Sequence, residues 1–335
     1  MRRAAREMIR DGHRAGPECQ VTRSVGGWVR ATRLVSLVAI VSLAGALSPA
    51  GAAAASGLTG AGSSLVAPLI AEWSAAFEAF FGTPISYDPA GSLAGITAVS
   101  SRTVDFGDSD APMTSAQRSK CGDCYQIPVA LGALGIGYHV DRLNLNLHLI
   151  GTLLAEIYLG QITRWNDPRT KALNPNASLP NLRIVPIYTG ASGSTYTFTT
   201  YLSKVSTNWR HRVGSGLIVS FPAGVPANGG AVSGLLRSTN GAVAYIGASY
   251  LIADALAAAA IENSAGQFEY PNLSEIESAG RTVKHVPADN ALDIVDPPKS
   301  ARSAYPIATF TYMIVPANDA HKSLLKPGVP QFVGI

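Results

Sequence analysis

The sequence predicts an α/β protein, because short apolar stretches with strand character alternate with longer stretches of helical periodicity from Gly57 onward. The composition agrees with a compact globular chain, since 47% of the 335 residues are hydrophobic and only 14% are charged. That length suits two domains of ordinary size. Small residues and hydroxyls recur where strands give way to helices, in the runs GAGSS at 60–64, TVDFGDSDAPM at 103–113 and ASGST at 191–195. Backbone N–H groups at such turns are free to hold an anion.

The positive charge of the chain is concentrated in its first 55 residues. The whole chain has 26 basic and 22 acidic residues. The first 55 residues contain eight arginines and three acids, which leaves 18 basic and 19 acidic residues, a net charge of −1, for the remainder. We therefore expect no nucleic-acid partner, because the basic residues do not form a binding face on the folded part.

The same segment has the pattern of a secretory signal. Arg30 and Arg33 precede an apolar run at 34–44, and small residues follow at 48–52. A membrane anchor is the weaker interpretation, because the run is short for a span of about 20 residues. We predict that residues 1–55 are a leader and that the mature chain is secreted or periplasmic. No cysteine directly follows the apolar run, so we expect neither a lipobox nor a lipid anchor.

The first predicted elements follow directly from periodicity. A helix over 66–81 has apolar residues every three or four positions, with Ser63 or Ser64 at the N-cap and Pro68 in the first turn. A short strand at 85–88 precedes a helix that runs from 91 to about 101. A strand ends at 105–107, which leaves the following hydroxyl and carboxylate on the emerging loop.

The second part of the chain repeats this alternation. Apolar stretches at 127–130 and 134–138 cross into a second domain, and the helix and strand that follow are predicted at 152–159 and 183–188. Ser192 or Ser194 then caps a helix that continues through 202. We expect the strand at 241–246 to return to the first domain and the last strand to cover 308–315.

Cys121 and Cys124 are the cysteines that remain after the leader. In an oxidising compartment they favour a small structural disulfide. A redox pair, half of a zinc site and two free thiols remain open alternatives. No motif marks a metal site, and no cofactor is expected.

Several runs together resemble the substrate-binding proteins of phosphate ABC transporters (PstS type). They are GAGSSLVAP at 60–68, VDFGDSDAP at 104–112, IYLGQI at 157–162 with WND at 165–167, SGS at 192–194, FTTYLSKV at 198–205, Trp209, and YPI at 305–307. The likeness extends from about residue 57 to 325. The Cys-x-x-Cys loop is similar to the actinobacterial branch.

The resemblance implies a two-lobed periplasmic-binding-protein-like (type II) fold with hinge strands. Lobe I would comprise 57–132 and 245–335, and lobe II would comprise 133–244. Such a protein is a monomer that closes over inorganic phosphate, or a similar oxyanion, and delivers it to an ABC permease. It is not an enzyme.

The resemblance also implies the ligand contacts. Ser64 and Leu65 match contacts of the first lobe, and Ser92 matches a second hydroxyl donor. Asp110 matches the carboxylate that accepts a hydrogen bond from a protonated phosphate oxygen, which sulfate lacks. The donors of the second lobe match the run Ser192, Gly193 and Ser194.

Three positions depart from the family pattern. The family places an arginine two residues before an aspartate ahead of its Ser-Gly-Thr run, whereas this chain has Tyr188 and Gly190 there. Asp108 stands where the family has a small neutral residue. Because Tyr188 cannot replace a charged bidentate guanidinium, we expect weaker binding or altered selectivity. The segment 326–335 contains two prolines and two glycines in place of an aromatic-rich helix, which suggests a truncated C-terminal part.

Two other functions remain open. A divergent secreted binding protein of the same fold could take another ligand. A secreted hydrolase is the third alternative, because 190–194 is similar to a nucleophile elbow, but its last residue is Ser and no His or acid is assignable as its partner.

Overall fold

The structure, a computed structural model, describes residues 57–143 and 145–317. Its strands are β1 (Leu58–Gly62), β2 (Ile85–Asp88), β3 (Phe106–Ser109), β4 (Cys124–His139), β5 (His148–Leu149), β6 (Val185–Thr189), β7 (Val225–Ala227), β8 (Ala242–Gly247), β9 (Ala258–Glu262), β10 (Phe268–Glu269) and β11 (Ala308–Pro316). Its α-helices are α1 (Ala67–Phe81), α2 (Ser92–Ser100), α3 (Ser115–Cys121), α4 (Gly151–Tyr158), α5 (Pro168–Leu173), α6 (Gly193–Val205), α7 (Thr207–Arg212), α8 (Val232–Ser238), α9 (Ala248–Ala253) and α10 (Leu273–Gly280).

One long strand joins the two halves of a mixed sheet, whose order is β2-β1-β3-β11-β4-β8-β6-β7. Residues 124–133 of β4 pair with β11, and residues 134–139 pair with β8. We call β2, β1, β3, β11 and the start of β4 the first half of the sheet, and the end of β4 with β8, β6 and β7 the second half. The α/β class and the two-part architecture predicted from the sequence are confirmed.

Local sequence explains where the helices of the first half begin. The hydroxyl of Ser63 accepts hydrogen bonds from the amides of Leu65 and Val66 at 3.1 and 3.4 Å, so it fixes the turn that leads into α1. Pro68 lies in the first turn of α1, where a missing N–H costs nothing. In α3, Thr114 forms a reciprocal capping box with Gln117.

The largest core lies around the second half of the sheet. Ile136 of β4, Leu154 of α4 and Phe198 of α6 are fully buried in it. Residues late in the chain join this core, since the Tyr305 hydroxyl donates to the Leu134 carbonyl at 2.9 Å. β9 pairs with residues 136 and 137 of β4, and β8 pairs with β6 as well as β4.

The strand pairing therefore returns β11, and not β8, to the first half of the sheet. The lobe boundaries at 132 and 245 remain predictions. The predicted signal segment and the altered C-terminal segment lie outside the described residues. Within 57–143 and 145–317, the structure contains no helix that is both long and apolar enough to cross a membrane.

Cys121 and Cys124 form a disulfide between the end of α3 and the start of β4. Their Cα atoms are 5.7 Å apart. The Arg102 guanidinium lies 3.4 Å from the Cys124 sulfur and pairs with Asp123 at 2.6 Å. The prediction of a disulfide is confirmed.

Candidate functional site

Three loops that follow parallel strands meet at one edge of the sheet. β1 pairs in parallel with β3 in the first half, and β6 pairs in parallel with β8 in the second half. Ser63 follows β1, Asp110 follows β3 and Ser192 follows β6. The ends of parallel strands at a point where strand order reverses are the usual ligand-binding position in open α/β sheets.

The carboxylate of Asp110 is held by hydroxyl groups from two other elements. The residue is 1% exposed. Ser63 Oγ donates to its two carboxylate oxygens at 2.6 and 2.7 Å, and Thr311 Oγ1 of β11 donates to Oδ1 at 2.6 Å. These bonds fix the orientation of the carboxylate, because one comes from the turn after β1 and the other from β11.

Ser92 connects this carboxylate to the start of α2. Its side chain is fully buried, and its Oγ accepts a hydrogen bond from the Asp110 amide at 3.1 Å. Because that bond uses a lone pair, the hydroxyl proton of Ser92 can still be donated to another group. The predicted pair of Ser92 and Asp110 therefore lies together.

In the second half, the start of α6 rests on a buried network of hydroxyls. Ser192 is the N-cap, and its Oγ accepts from the Thr195 amide at 3.1 Å. The same oxygen lies 2.8 Å from Thr189 Oγ1, and Thr195 Oγ1 lies 2.7 Å from the Tyr245 hydroxyl. The Ser192 hydroxyl is thus engaged inside the protein, and the helix geometry leaves the amides of Gly193 and Ser194 without intrahelical acceptors.

Gly193 brings the start of α6 against the acid of the first half. A Cβ placed on Gly193 would lie 2.6 Å from Asp110 Cβ, 2.7 Å from Asp110 Oδ2, and in contact with Ser92 Oγ. Only a residue without a side chain allows this approach. The structure therefore joins Ser92, Asp110 and the start of α6 in one place, although their role as ligand contacts remains a prediction.

The other predicted contacts have different surroundings. The Ser64 hydroxyl lies beside Gly229, where an added Cβ would be 2.9 Å away, and the Ser64 carbonyl accepts from the Tyr250 hydroxyl at 2.9 Å. The side chain of Leu65 packs beside Gly132 and Gly247, so it lies where β4 and β8 run side by side.

Tyr188 belongs to an aromatic cluster. Its ring stacks on Phe221, with centroids 4.4 Å apart and planes 19° apart. The Phe221 ring also contacts Tyr158, Trp209 and Tyr245. The Tyr188 ring is therefore held by packing against the core of the second half.

Asp108 is the second acid at this edge, and it has no compensating partner. It is fully buried, and neither of its carboxylate oxygens has a hydrogen bond within the part of the chain that the structure describes. The nearby Tyr87 hydroxyl donates instead to the Ser63 carbonyl at 2.9 Å. Among residues 57–143 and 145–317, the ion pairs involve neither Asp108 nor Asp110.

Burial changes the pKa of both acids. It raises the pKa of Asp108 from 3.8 to about 7, with a further increase from the Asp110 charge and an opposing effect of Tyr87. It raises the pKa of Asp110 to about 6, against the hydrogen bonds from Ser63 and Thr311, which favour the ionised form. Of the two carboxyls, Asp108 therefore holds its proton to the higher pH.

The sequence did not identify three residues at this edge, namely Ser63, Tyr87 and Thr311. Ser63 and Ser64 are adjacent, and nothing in the sequence shows which of them faces Asp110. Thr311 is 201 residues from Asp110 along the chain, so only the antiparallel pairing of β11 with β3 brings it near. The described residues contain no cluster of three or more His, Cys, Asp or Glu side chains with the spacing of a metal site.

Comparison with known proteins identifies relatives over most of the chain. Residues 47–333 match the family model of the PBP superfamily domain. The phosphate-binding protein PstS of Xylella fastidiosa (strain Temecula1) is 34% identical over 264 residues, which cover 77% of this chain and 71% of that protein. Phosphate-binding protein PstS 3 of Mycobacterium leprae is 32% identical over 272 residues, with 77% and 73% covered. The crystal structure of a phosphate-binding protein from Stenotrophomonas maltophilia superposes with a TM-score of 0.62 at 18% identity, covering 81% of each chain.

Proposed function

Since the chain belongs to the PstS family of phosphate-binding proteins within the PBP superfamily, we propose that it captures inorganic phosphate between two lobes for import by an ABC transporter. The observation that carries this proposal is the contact of Gly193, at the start of α6, with Asp110 and Ser92. It supports a site in which the second half of the sheet provides hydrogen-bond donors for an anion. The first half provides a carboxylate that distinguishes a protonated anion from an unprotonated one.

The donors supply the attraction for the anion. The amides of Gly193 and Ser194 lie at the positive end of the α6 dipole, and the hydroxyls of Ser64 and Ser92 supply neutral donors from the other side. Each hydrogen bond to a charged group is worth about 1.5–3 kcal/mol. Several such bonds can offset the desolvation of an anion in a closed cleft.

Asp110 supplies the selectivity. Its ionised carboxylate accepts a hydrogen bond from a phosphate that carries a proton, whereas sulfate has no proton to share and is repelled. Ser63 and Thr311 hold the carboxylate in place for this contact. We expect phosphate and arsenate to bind and sulfate to be rejected.

The remaining parts of the proposal concern location and partners. The leader at 1–55 and the family together support a secreted or periplasmic monomer that meets a membrane permease. The lobe assignments, 57–132 with 245–335 and 133–244, belong to this proposal.

A second candidate is a binding protein of the same fold with a different or more weakly held ligand. Two observations favour it: Tyr188 is packed on Phe221 where the family pattern has arginine, and Asp108 adds a buried acid. Under this alternative the cleft would prefer a ligand that carries more protons or less charge than the phosphate dianion.

Isothermal titration of the purified protein with phosphate, arsenate and sulfate tests the proposal. Binding of phosphate without binding of sulfate would support it, and failure to bind phosphate between pH 5.5 and 8.5 would contradict it. Incubation with a chromogenic phosphate ester separates both binding functions from a hydrolase, and we expect no turnover.

A further inference from the structure

The carboxylate of Asp108 is a buried polar group that the proposed anion site leaves unexplained. It is fully buried, and its two oxygens have no hydrogen-bond partner within 57–143 and 145–317. An ionised carboxylate in such a position is costly, because neither water nor a donor replaces its hydration. A proton bound to Asp108 removes most of that cost.

Few ionisable groups lie close enough to Asp108 to affect its charge. The titratable side chains that face it are Asp110, two residues further along the chain, and Tyr87 of β2. The residues placed next to it by the other packed elements do not ionise, namely Gly62 of β1, Met313 of β11 and Gly95 of α2. The acids of α1 are exposed, namely Glu72 and Glu78.

We propose that Asp108 makes phosphate binding depend on a bound proton, so that the cleft holds phosphate while Asp108 is neutral and releases it as Asp108 ionises. This inference rests on the proposed function. Asp110 has to be ionised to accept a hydrogen bond from the protonated oxygen of the ligand, so Asp108 is the acid that must be neutral. Two ionised carboxylates would otherwise face an anion at a site where the described residues provide no paired cation.

The order in which the two acids ionise agrees with these roles. The pKa of Asp110 is about 6 and that of Asp108 is about 7. Of the two carboxyls, Asp108 is therefore the one whose pKa is raised further. The hydroxyls of Ser63 and Thr311 donate directly to the Asp110 carboxylate, whereas the hydroxyl nearest Asp108, that of Tyr87, donates to the Ser63 carbonyl.

The test compares the wild-type protein with Asp108→Asn, whose amide has the shape of a neutral carboxyl. Phosphate is titrated calorimetrically at pH 5.5–8.5 in pairs of buffers that differ in ionisation enthalpy, which gives the number of protons taken up on binding. Because the ligand titrates identically in both proteins, the difference between them reports Asp108. Above pH 7 we expect the wild type to lose up to roughly tenfold in affinity per pH unit relative to the variant, and to take up about one more proton.

The outcomes separate this inference from the proposed function. If both proteins bind phosphate with the same pH profile and the same proton count, the inference is wrong and the proposed function stands. If neither binds phosphate at any pH, both are wrong. Restoration of wild-type affinity at pH 8.5 by added Mg²⁺ would show that a cation, and not a proton, neutralises the pair, and would also overturn the inference. Asp108→Ala, which keeps the Cβ, replaces the asparagine variant if that variant does not fold.

Discussion

The replacement of Asp108 by asparagine should stabilise the protein more at high pH than at low pH, in the absence of any ligand. Burial raises the pKa of this carboxyl from 3.8 in the unfolded chain to about 7 in the folded protein. The folded protein therefore retains a proton that the unfolded chain releases above pH about 4. The free energy of unfolding of the wild type consequently falls as the pH rises to about 7, and the penalty is constant above that.

The size of the effect follows from the same two values. Each pH unit of separation corresponds to about 1.4 kcal/mol, so the full separation sets an upper limit of about 4 kcal/mol. Between pH 5 and pH 8, the penalty grows only over the two pH units below the pKa of about 7. From pH 5 to pH 8 we therefore expect the free energy of unfolding of Asp108→Asn to rise by about 2–3 kcal/mol relative to that of the wild type. For a chain of this size that is roughly 3–5 °C in the unfolding temperature, at about 2.1 cal/mol/K of unfolding entropy per residue.

Urea unfolding or calorimetry at pH 5 and pH 8 measures this gain. Asp88→Asn on β2 is a matched acid-to-amide control at an exposed position, and it should change the difference between the two pH values by less than about 0.5 kcal/mol. A gain from Asp108→Asn that is equal at both pH values would refute the conclusion that the folded protein keeps a proton on this residue.

Three further variants test the site. Gly193→Ala places a Cβ 2.6 Å from Asp110 Cβ, so it should hold the two halves apart. Titration calorimetry should then show phosphate binding weakened at least roughly tenfold, or about 1.4 kcal/mol. Unchanged affinity would mean that this close approach is not needed for binding. Ser63→Ala removes the donor to both oxygens of a buried carboxylate and should lower stability by about 1–3 kcal/mol in urea unfolding, an effect that would be absent if water replaced the hydroxyl. Tyr188→Arg combined with Gly190→Asp restores the ion pair of the family pattern, and the space around Gly190 is open to a side chain. It should tighten phosphate binding by about 1.5–3 kcal/mol, and a titration that shows no gain would contradict the explanation of weak binding by loss of that pair.

The sequence predicted the elements whose ends are set by local chemistry. The helix predicted over 66–81 is α1 at Ala67–Phe81, because Pro68 lies in its first turn and Gly82, with φ of 68°, defines its end. The predicted serine N-cap is wrong, since the N-cap is Val66 and the Ser63 hydroxyl instead fixes the turn before the helix. The last strand, predicted over 308–315, is β11 at Ala308–Pro316. In both cases periodicity and cap residues lie within a few positions of the boundary that they determine.

Contacts between distant segments could not be predicted in this way. The start of α6 meets Asp110 because the two ends of β4 belong to different halves of the sheet, and no local pattern encodes that geometry. The prediction that the strand at 241–246 returns to the first domain was wrong for the same reason, because the sequence of an apolar strand does not indicate which strand it pairs with. β8 pairs with β6 and with the second half of β4 instead of returning to the first half.

The charges at the site explain why a neutral Asp108 is compatible with the function of the family. In the family pattern the arginine and its aspartate cancel, so the acid equivalent to Asp110 leaves a net charge of −1. In this chain Tyr188 and Gly190 carry no charge, and the net charge is again −1 when Asp108 is protonated but −2 when it is ionised. The proton on Asp108 thus gives the cleft the same total charge that the family pattern has. That proton does not replace the directional pair of hydrogen bonds from a guanidinium. In the proposed site, the amides of α6 supply the attraction for the anion instead.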